Sequence, residues 1–253
     1  MPEPALGIVG TGRLGRAVRD LAVSEGHPVT VLDPRQPGSW DERTAVDAVV
    51  DCSAPEAVGA AARLCRHLGV PLVECVSGLG AEERRLLDSL SADVPVVLAP
   101  NLSLGNYLQT RALRFVAEVV TTMERAGITG AVPQTAVMER HPATKAHRPS
   151  TTAERLAHEW QRHTGRPAAD IGSLRCGPVV SDHEVRLMWP EQSLTISHSV
   201  TSLDAAAAGA IGAAGWAVGQ APGTYTIHAV FDDLLATMAR AAGDGTNGKE
   251  DDR

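Results

Sequence analysis

A short apolar run, Ala5 to Val9, breaks directly into Gly10-Thr11-Gly12-Arg13-Leu14-Gly15. An apolar run of that length reads as a buried strand. Arg16 to Ser24 then has helical periodicity, with Val18, Leu21 and Ala22 on one side. His27 to Leu32 reads as a second strand, and Asp33 stands at its end. Each part of this strand–turn–helix–strand–acid series has a mechanical reason. Gly10 permits the tight turn, Gly12 lets a pyrophosphate approach the backbone, and Gly15 lets the helix pack close to the strand. Asp33 follows about 20 residues on, where a carboxylate can bind ribose hydroxyls. The series predicts a dinucleotide site formed by Gly10, Thr11, Gly12, Arg13, Leu14, Gly15 and Asp33. The carboxylate favours NADH, because it would repel a 2′-phosphate. Arg13 and Arg35 are placed to meet such a phosphate, so NADPH is also expected to bind.

The alternation continues. Ala48 to Cys52 is another apolar strand, Pro55 to Leu68 is helical with Gly69 as its stop, and Val70 to Val76 is the next strand. Ala81 to Leu90 is helical, and Val94 to Leu98 is a strand that delivers Ala99-Pro100-Asn101-Leu102 to a loop. Repeated strand–helix units predict an α/β domain with a doubly wound parallel sheet. In such sheets ligands bind at the carboxyl ends of the strands, which draws attention to Ser77-Gly78-Leu79-Gly80 and to the loop after Leu98.

Gly105 to Val120 is a long apolar helix leading out of that domain, and afterwards the pattern changes. Gly130 to Met138, Ser173 to Cys176, His183 to Trp189 and Ser193 to Val200 read as strands with few helices between them. Alternation at Val185, Leu187 and Trp189 fits a half-exposed sheet. The expectation is an α+β domain with an open mixed sheet, and an open sheet often pairs with a partner subunit. Helices at Ala205 to Val218 and Asp232 to Arg240 are expected to return to the first domain, and Gly243 to Arg253 to be disordered. The expected division is 1–104 for the dinucleotide-binding domain, 105–202 for substrate binding and oligomerisation, and 203–253 for the return and tail.

A net charge of −7 over 253 residues, with no Lys/Arg run, argues against nucleic acid as the partner. Cys52, Cys65, Cys75 and Cys176 show no C-x-x-C pair, so neither a zinc site nor a disulfide framework is expected, and a reducing cytoplasmic setting is the simplest account. The opening MPEPALGIVG lacks a basic n-region, and no stretch nears the roughly 20 apolar residues of a membrane span.

Against this acidic background the stretch Met138 to Leu156, MERHPATKAHRPSTTAERL, is locally basic. His141, Lys145, His147 and Arg148 precede Pro149, and Ser150, Thr151 and Thr152 open a helix. Thr151 and Glu154 have capping-box spacing. The first turn of a helix attracts an anion through its unpaired N–H groups. A proton donor, an ammonium and an anion cradle therefore lie within a few residues, as a carboxylate-bearing substrate that accepts a proton would need. A basic surface loop running into a capped helix would look the same in isolation.

Taken together, GIVGTGRLGRAV, VVDCSAPEAV, PLVECVSGLG, PVVLAPNLSLGNYL, MERHPATKAHRPSTTAERLA and the pattern from His198 to Trp216 resemble the 4-hydroxy-tetrahydrodipicolinate (dihydrodipicolinate) reductase family over nearly the whole chain. The resemblance implies an N-terminal Rossmann domain, a C-terminal sheet domain that builds a homotetramer (a homodimer being the lesser assembly), and reduction of a cyclic imine-type bond by NADH or NADPH. It casts His141 as proton donor and Lys145 as its cationic partner. Ser150, Thr151 and Thr152 become binders of a small carboxylate substrate. Cys75, Val76, Ser77, Ala99, Pro100, Asn101 and Leu102 become contacts on the nicotinamide side.

Several positions depart from the family pattern. Pro142 stands where a second histidine is usual, His147-Arg148 replaces Asp-Ala, Thr151 replaces Gly, Cys75-Val76-Ser77-Gly78 replaces Gly-Thr-Thr-Gly, and Leu203 replaces Arg. The expectation is the family's chemistry on a different carboxylated substrate, such as one of secondary metabolism. The alternatives are the lysine-pathway reductase itself and a dinucleotide-binding regulator that has lost catalysis.

Overall fold

The computed structural model describes residues 3–40, 44–177 and 180–246. It contains two compact units, Met1–Leu102 with Ala206–Arg253, and Ser103–Ala205. In the first unit β1 (Leu6–Val9) runs into α1 (Arg13–Ser24), followed by β2 (Val29–Leu32), β3 (Ala48–Asp51), α2 (Val58–Leu68), β4 (Leu72–Glu74), α3 (Ala81–Leu90) and β5 (Pro95–Leu98). In the second unit come α4 (Leu104–Arg125), β6 (Gln134–His141), α5 (Thr151–Thr164), β7 (Asp170–Arg175), β8 (Ser181–Met188) and β9 (Ser193–Val200). The chain then forms α6 (Asp204–Ala217), β10 (Gly223–Thr226) and α7 (Ile227–Thr246).

The first sheet has the order β10-β5-β4-β3-β1-β2, and each pairing is parallel. Alternate residues of one strand feed opposite layers. Leu6, Ile8, Val50, Val73 and Val97 pack with α1, α6 and α7, while Val9, Val49, Leu72 and Val96 pack with α2 and α3. This is the expected doubly wound α/β sheet. With aromatic residues at only 3% of the chain, the layers close on small side chains. Ala207, Ala210, Ala214 and Ala217 of α6 are fully buried, and a Cβ on Gly209 would meet the Leu102 carbonyl oxygen at 1.9 Å.

Strand β10 was not anticipated. Its four residues, GTYT, alternate between half-buried and exposed, and the strand gains its place by pairing with β5. Helix α7 begins at Ile227, ahead of the start that a reading from Asp232 suggests. Residues 243–246, expected to be disordered, continue that helix, and the rest of the tail lies outside the described residues.

The second sheet is mixed, in the order β7-β6-β8-β9, with β6 parallel to β7 and the other pairs antiparallel. One face packs on α4 and α5 through Val137, Val185, Leu187, Leu113, Leu156 and Trp160. Ala153, Leu156 and Trp160 fall at helical spacing on the buried side of α5. Burying Trp160 there contributes on the order of 2–3 kcal/mol. The expected capping box at Thr151 and Glu154 does not form. Ser150 is the N-cap, its hydroxyl accepting from the Ala153 N–H. Nor does His141 lie in the loop, because β6 runs on to include it.

Candidate active site

The glycine turn has the shape that its spacing implies. Gly10 has φ +114°, in the region that favours glycine, and a Cβ there would meet the Cys52 carbonyl oxygen at 2.8 Å. A Cβ on Gly15 would lie 2.2 Å from the Gly10 carbonyl oxygen. Gly12 differs, since it has ordinary backbone angles and a Cβ added there would meet nothing within 4 Å. It is the N-cap of α1, with no side chain capping the helix and no acid in the first turn. That open, uncapped end suits a pyrophosphate. A cleft of about 400 Å³ lies against Gly10, Thr11, Gly12, Arg35 and Ser53. Thr11 and Arg13 are exposed and Leu14 is half-buried.

Asp33 ends the second strand, half-buried. Arg35 holds its carboxylate in a fork, Nε to Oδ1 at 3.0 Å and Nη2 to Oδ2 at 2.8 Å, and these hydrogen bonds lower the acid's pKa. Cys75, Val76, Ala99 and Leu102 lie at the same strand-end edge, but their side chains are buried. Of that predicted nicotinamide-side set, only Ser77 is exposed, with Pro100 and Asn101 half-buried. Beneath this edge lies a feature that sequence reasoning missed. Asp51 and Glu74 are register partners on β3 and β4, both buried. Asp51 Oδ1 accepts from the Ser53 N–H at 2.9 Å, and Glu74 Oε1 from the Val76 N–H at 2.8 Å. Among the described residues, Oδ2 and Oε2 have no hydrogen-bond partner. Burial raises Asp51 to about 6 and, with Asp51's charge added, Glu74 to about 9.

In the second unit the predicted catalytic stretch is organised by a residue to which the sequence reading assigned no role. Glu139, buried on β6 two positions before His141, takes the Ser150 N–H at 3.0 Å, the Ser173 hydroxyl at 2.7 Å and the Arg175 guanidinium at 3.0 Å. Burial pushes its pKa up, but the hydrogen bonds from Ser150, Ser173 and Arg175 outweigh burial and hold it at about 2. His141 Nδ1 lies 3.5 Å from Glu139 Oε2, and the His141 ring meets His183 edge-on, centroids 5.1 Å apart. Burial lowers the His141 pKa; Lys145 and Arg175 lower it further, against Glu139. Lys145 is exposed on the loop after β6.

Ser150 is buried, with its hydroxyl 3.1 Å from His183 Nε2. Its hydroxyl and N–H are both engaged within the protein. Thr151 and Thr152, the first residues of α5, remain half-exposed. For Glu139 the E-x-H spacing was the available signal, since residues two apart on a strand share a face.

Glu139, His141 and His183 each present a ligand atom within 4.8 Å of the others. A divalent ion there would face the Arg175 guanidinium, which already neutralises Glu139, and the charge of Lys145. With Glu139 committed to Arg175, the cluster is an imidazole pair beside a neutralised carboxylate rather than a metal centre.

Residues 28–102 match the family described as "Dihydrodipicolinate reductase, N-terminus", and residues 112–231 the one described as "Dihydrodipicolinate reductase, C-terminus". The chain is 30% identical to the 4-hydroxy-tetrahydrodipicolinate reductase of Myxococcus xanthus, over 87% of this chain and 94% of that one. It is 27% identical to that of Bdellovibrio bacteriovorus, over 91% and 97%. In fold it is similar to the dipicolinate-bound dihydrodipicolinate reductase of Paenisporosarcina sp. TG-14, with a TM-score of 0.65 at 16% identity over 88% and 97%. Cradle and family together define an NAD(P)H-dependent oxidoreductase. The chain belongs to the dihydrodipicolinate reductase family. Among the described residues, no helix is long and apolar enough to cross a membrane.

Proposed function

We infer that the chain reduces a carboxylated cyclic imine, or a conjugated double bond of similar polarity, with His141 as proton donor. The observation that carries this is the buried Glu139 carboxylate, which takes the Ser150 N–H at the start of α5 and lies 3.5 Å from Nδ1 of His141. Bound NAD(P)H supplies the hydride. The chain's own residues hold the substrate and manage the proton. Thr151 and Thr152, at the positive end of α5, take a substrate carboxylate. Ser150 sets the helix start rather than touching substrate. Glu139 lies on the Nδ1 side of His141, which leaves the other ring nitrogen for the reacting atom. An anionic substrate beside His141 and Lys145 raises the histidine's pKa toward the range a donor needs. Asp33 favours NADH by its charge, although Arg35 lies close enough to reward a 2′-phosphate. The first unit serves as the dinucleotide-binding domain and the second as the substrate domain of a cytoplasmic enzyme.

Pro142, His147, Arg148 and Thr151 line the loop and helix start where the substrate is read, which favours a substrate other than that of the lysine pathway. The second reading, 4-hydroxy-tetrahydrodipicolinate itself, is favoured by the relatives that carry that activity in their names over nearly their full length. NADH and NADPH consumption with 4-hydroxy-tetrahydrodipicolinate and with a panel of carboxylated cyclic imines separates the two. Faster turnover of another imine supports the first reading, and preference for the lysine-pathway compound with rescue of a lysine auxotroph supports the second. NADH binding without turnover on any of them would identify a regulator and overturn both.

A further inference from the structure

We propose that Arg175 is a positioning residue for the proton-donor site, tying the backbone of the Lys145–His147 loop to Glu139 so that the ammonium and the imidazole are presented together. The proposal rests on the role of His141 given above. Arg175 ends β7, directly opposite His141 in the parallel register of β6 and β7. Its side chain is 2% exposed, although it is the one cation of that strand. Nη2 donates to Glu139 Oε1 at 3.0 Å and also to the His147 carbonyl oxygen; Nε donates to the Lys145 carbonyl oxygen at 2.9 Å and Nη1 to that of Leu174 at 3.0 Å.

Apart from a 4.0 Å approach of exposed His147 to Glu154 of α5, the segment so held has little else to order it. Between β6 and α5 residues 142–149 form no helix or strand, and residues 143–148 are exposed. Within it the Lys145 N–H reaches the Pro142 carbonyl oxygen at 3.1 Å, a single turn that does not link the loop to the sheet. A loop of exposed residues with one internal bond samples many conformations, and Lys145 would sample them with it. The guanidinium removes that freedom by spanning two loop carbonyls and one strand carboxylate. Only a planar fork with five donors can do so; a lysine ammonium, as a point charge, cannot reach all three.

Arg175 also acts on the donor's charge. The groups facing His141 are Glu139 on its own strand, Lys145 on the loop, Arg175 on β7, and Asp182 and His183 on β8. Arg175 opposes protonation of His141, and it neutralises the carboxylate that favours protonation. Loss of its charge therefore moves the His141 titration to higher pH.

The test uses the full chain as Arg175→Lys and Arg175→Gln, with His141 followed by NMR titration and turnover measured with NADH and the best imine substrate. Arg175→Lys keeps the charge and loses the fork, and kcat is expected to fall at least 10-fold with NADH affinity unchanged and the His141 titration near its original place. Arg175→Gln is expected to lower kcat similarly and to shift the His141 titration upward. Folded variants with original kcat, or an unmoved titration in Arg175→Gln, would overturn the proposal. Backbone relaxation of Ala146, His147 and Arg148 in the unaltered chain gives a check that needs no variant. Rigid amides are expected, and nanosecond mobility there would also overturn it. The titration and relaxation measurements hold even if His141 proves not to be the donor, so the two ideas fail separately.

Discussion

A methyl group on Gly15 would land 2.2 Å from the Gly10 carbonyl oxygen, whereas one on Gly12 would meet nothing within 4 Å. Two glycines of one motif thus do different work. Gly15→Ala is expected to cost about 1–3 kcal/mol of stability through overpacking, seen as a lower melting temperature, along with NADH affinity. Gly12→Ala is expected to leave stability within about 0.5 kcal/mol while weakening NADH binding, read by fluorescence titration. Unchanged NADH affinity in Gly12→Ala would place the pyrophosphate elsewhere. At His141, alanine is expected to lower kcat/KM by ~10²–10⁴-fold with cofactor affinity intact. A donor must be protonated, and burial holds this histidine below its ordinary pKa. The rate constant kcat/KM therefore falls as pH rises, along a limb centred below the ordinary value near 6.5. A limb above that value would contradict the assignment. These residues were legible because their reasons are local, namely glycine spacing, a strand-end acid and a histidine before a capped helix. Glu139 and Arg175 were not, because their roles arise from partners 11 to 36 residues apart that only the folded chain brings together, the E-x-H spacing pointing to Glu139 without naming those partners.

Among the elements, those with strong periodicity or firm stops were readable in advance. Helix α3 and strand β9 begin and end where the pattern places them. The weak ones were β10, whose edge position depends on β5, and the start of α5, where Ser150 caps the helix and Glu139 of β6 takes its N–H in place of the expected box of Thr151 and Glu154. The ends of β3 and β4 hold an element-scale conflict of the same hidden kind. A buried acid pair in neighbouring register cannot ionise twice without mutual repulsion. Glu74, near 9 in the folded chain against 4.5 for the free group, holds its proton in the native state over a range where the unfolded chain has released it. Stability is therefore greatest below about 4.5 on this group's account and is lost as pH rises toward 9. Glu74→Gln keeps an acceptor for the Val76 N–H and offers a donor to Asp51 Oδ2. It is expected to flatten the decline in melting temperature between pH 6 and pH 9. The same decline in variant and parent would show that the pair does not govern it.

At the scale of the whole molecule, the second sheet has two unlike faces. Helices α4 and α5 cover one face, while Met138, Leu174 and Met188 stand exposed on the other, beside half-buried Ala136. The ion pairs Arg140–Asp182 and Arg186–Glu184 lie on the same outward positions, so charge is neutralised within the face and does not repel a copy of itself. Among the described residues, β7 and β9 are the two edges of this sheet and pair with no further strand. A second copy of this chain is the partner such a face suits, because a two-fold operation sets methionine and leucine against their own equivalents and needs no new complementarity. A stable contact asks for about 800 Å² per partner, which a four-stranded face can supply. Light scattering is therefore expected to give a multiple of 26.5 kDa. Met138→Lys combined with Leu174→Lys places like charges across the two-fold and is expected to shift the mass to that of a single chain. Both substitutions point away from the helices, so the circular dichroism spectrum should not change. If the unaltered chain already runs as a single copy at micromolar concentration, the face is bathed in solvent and its methionines need another explanation.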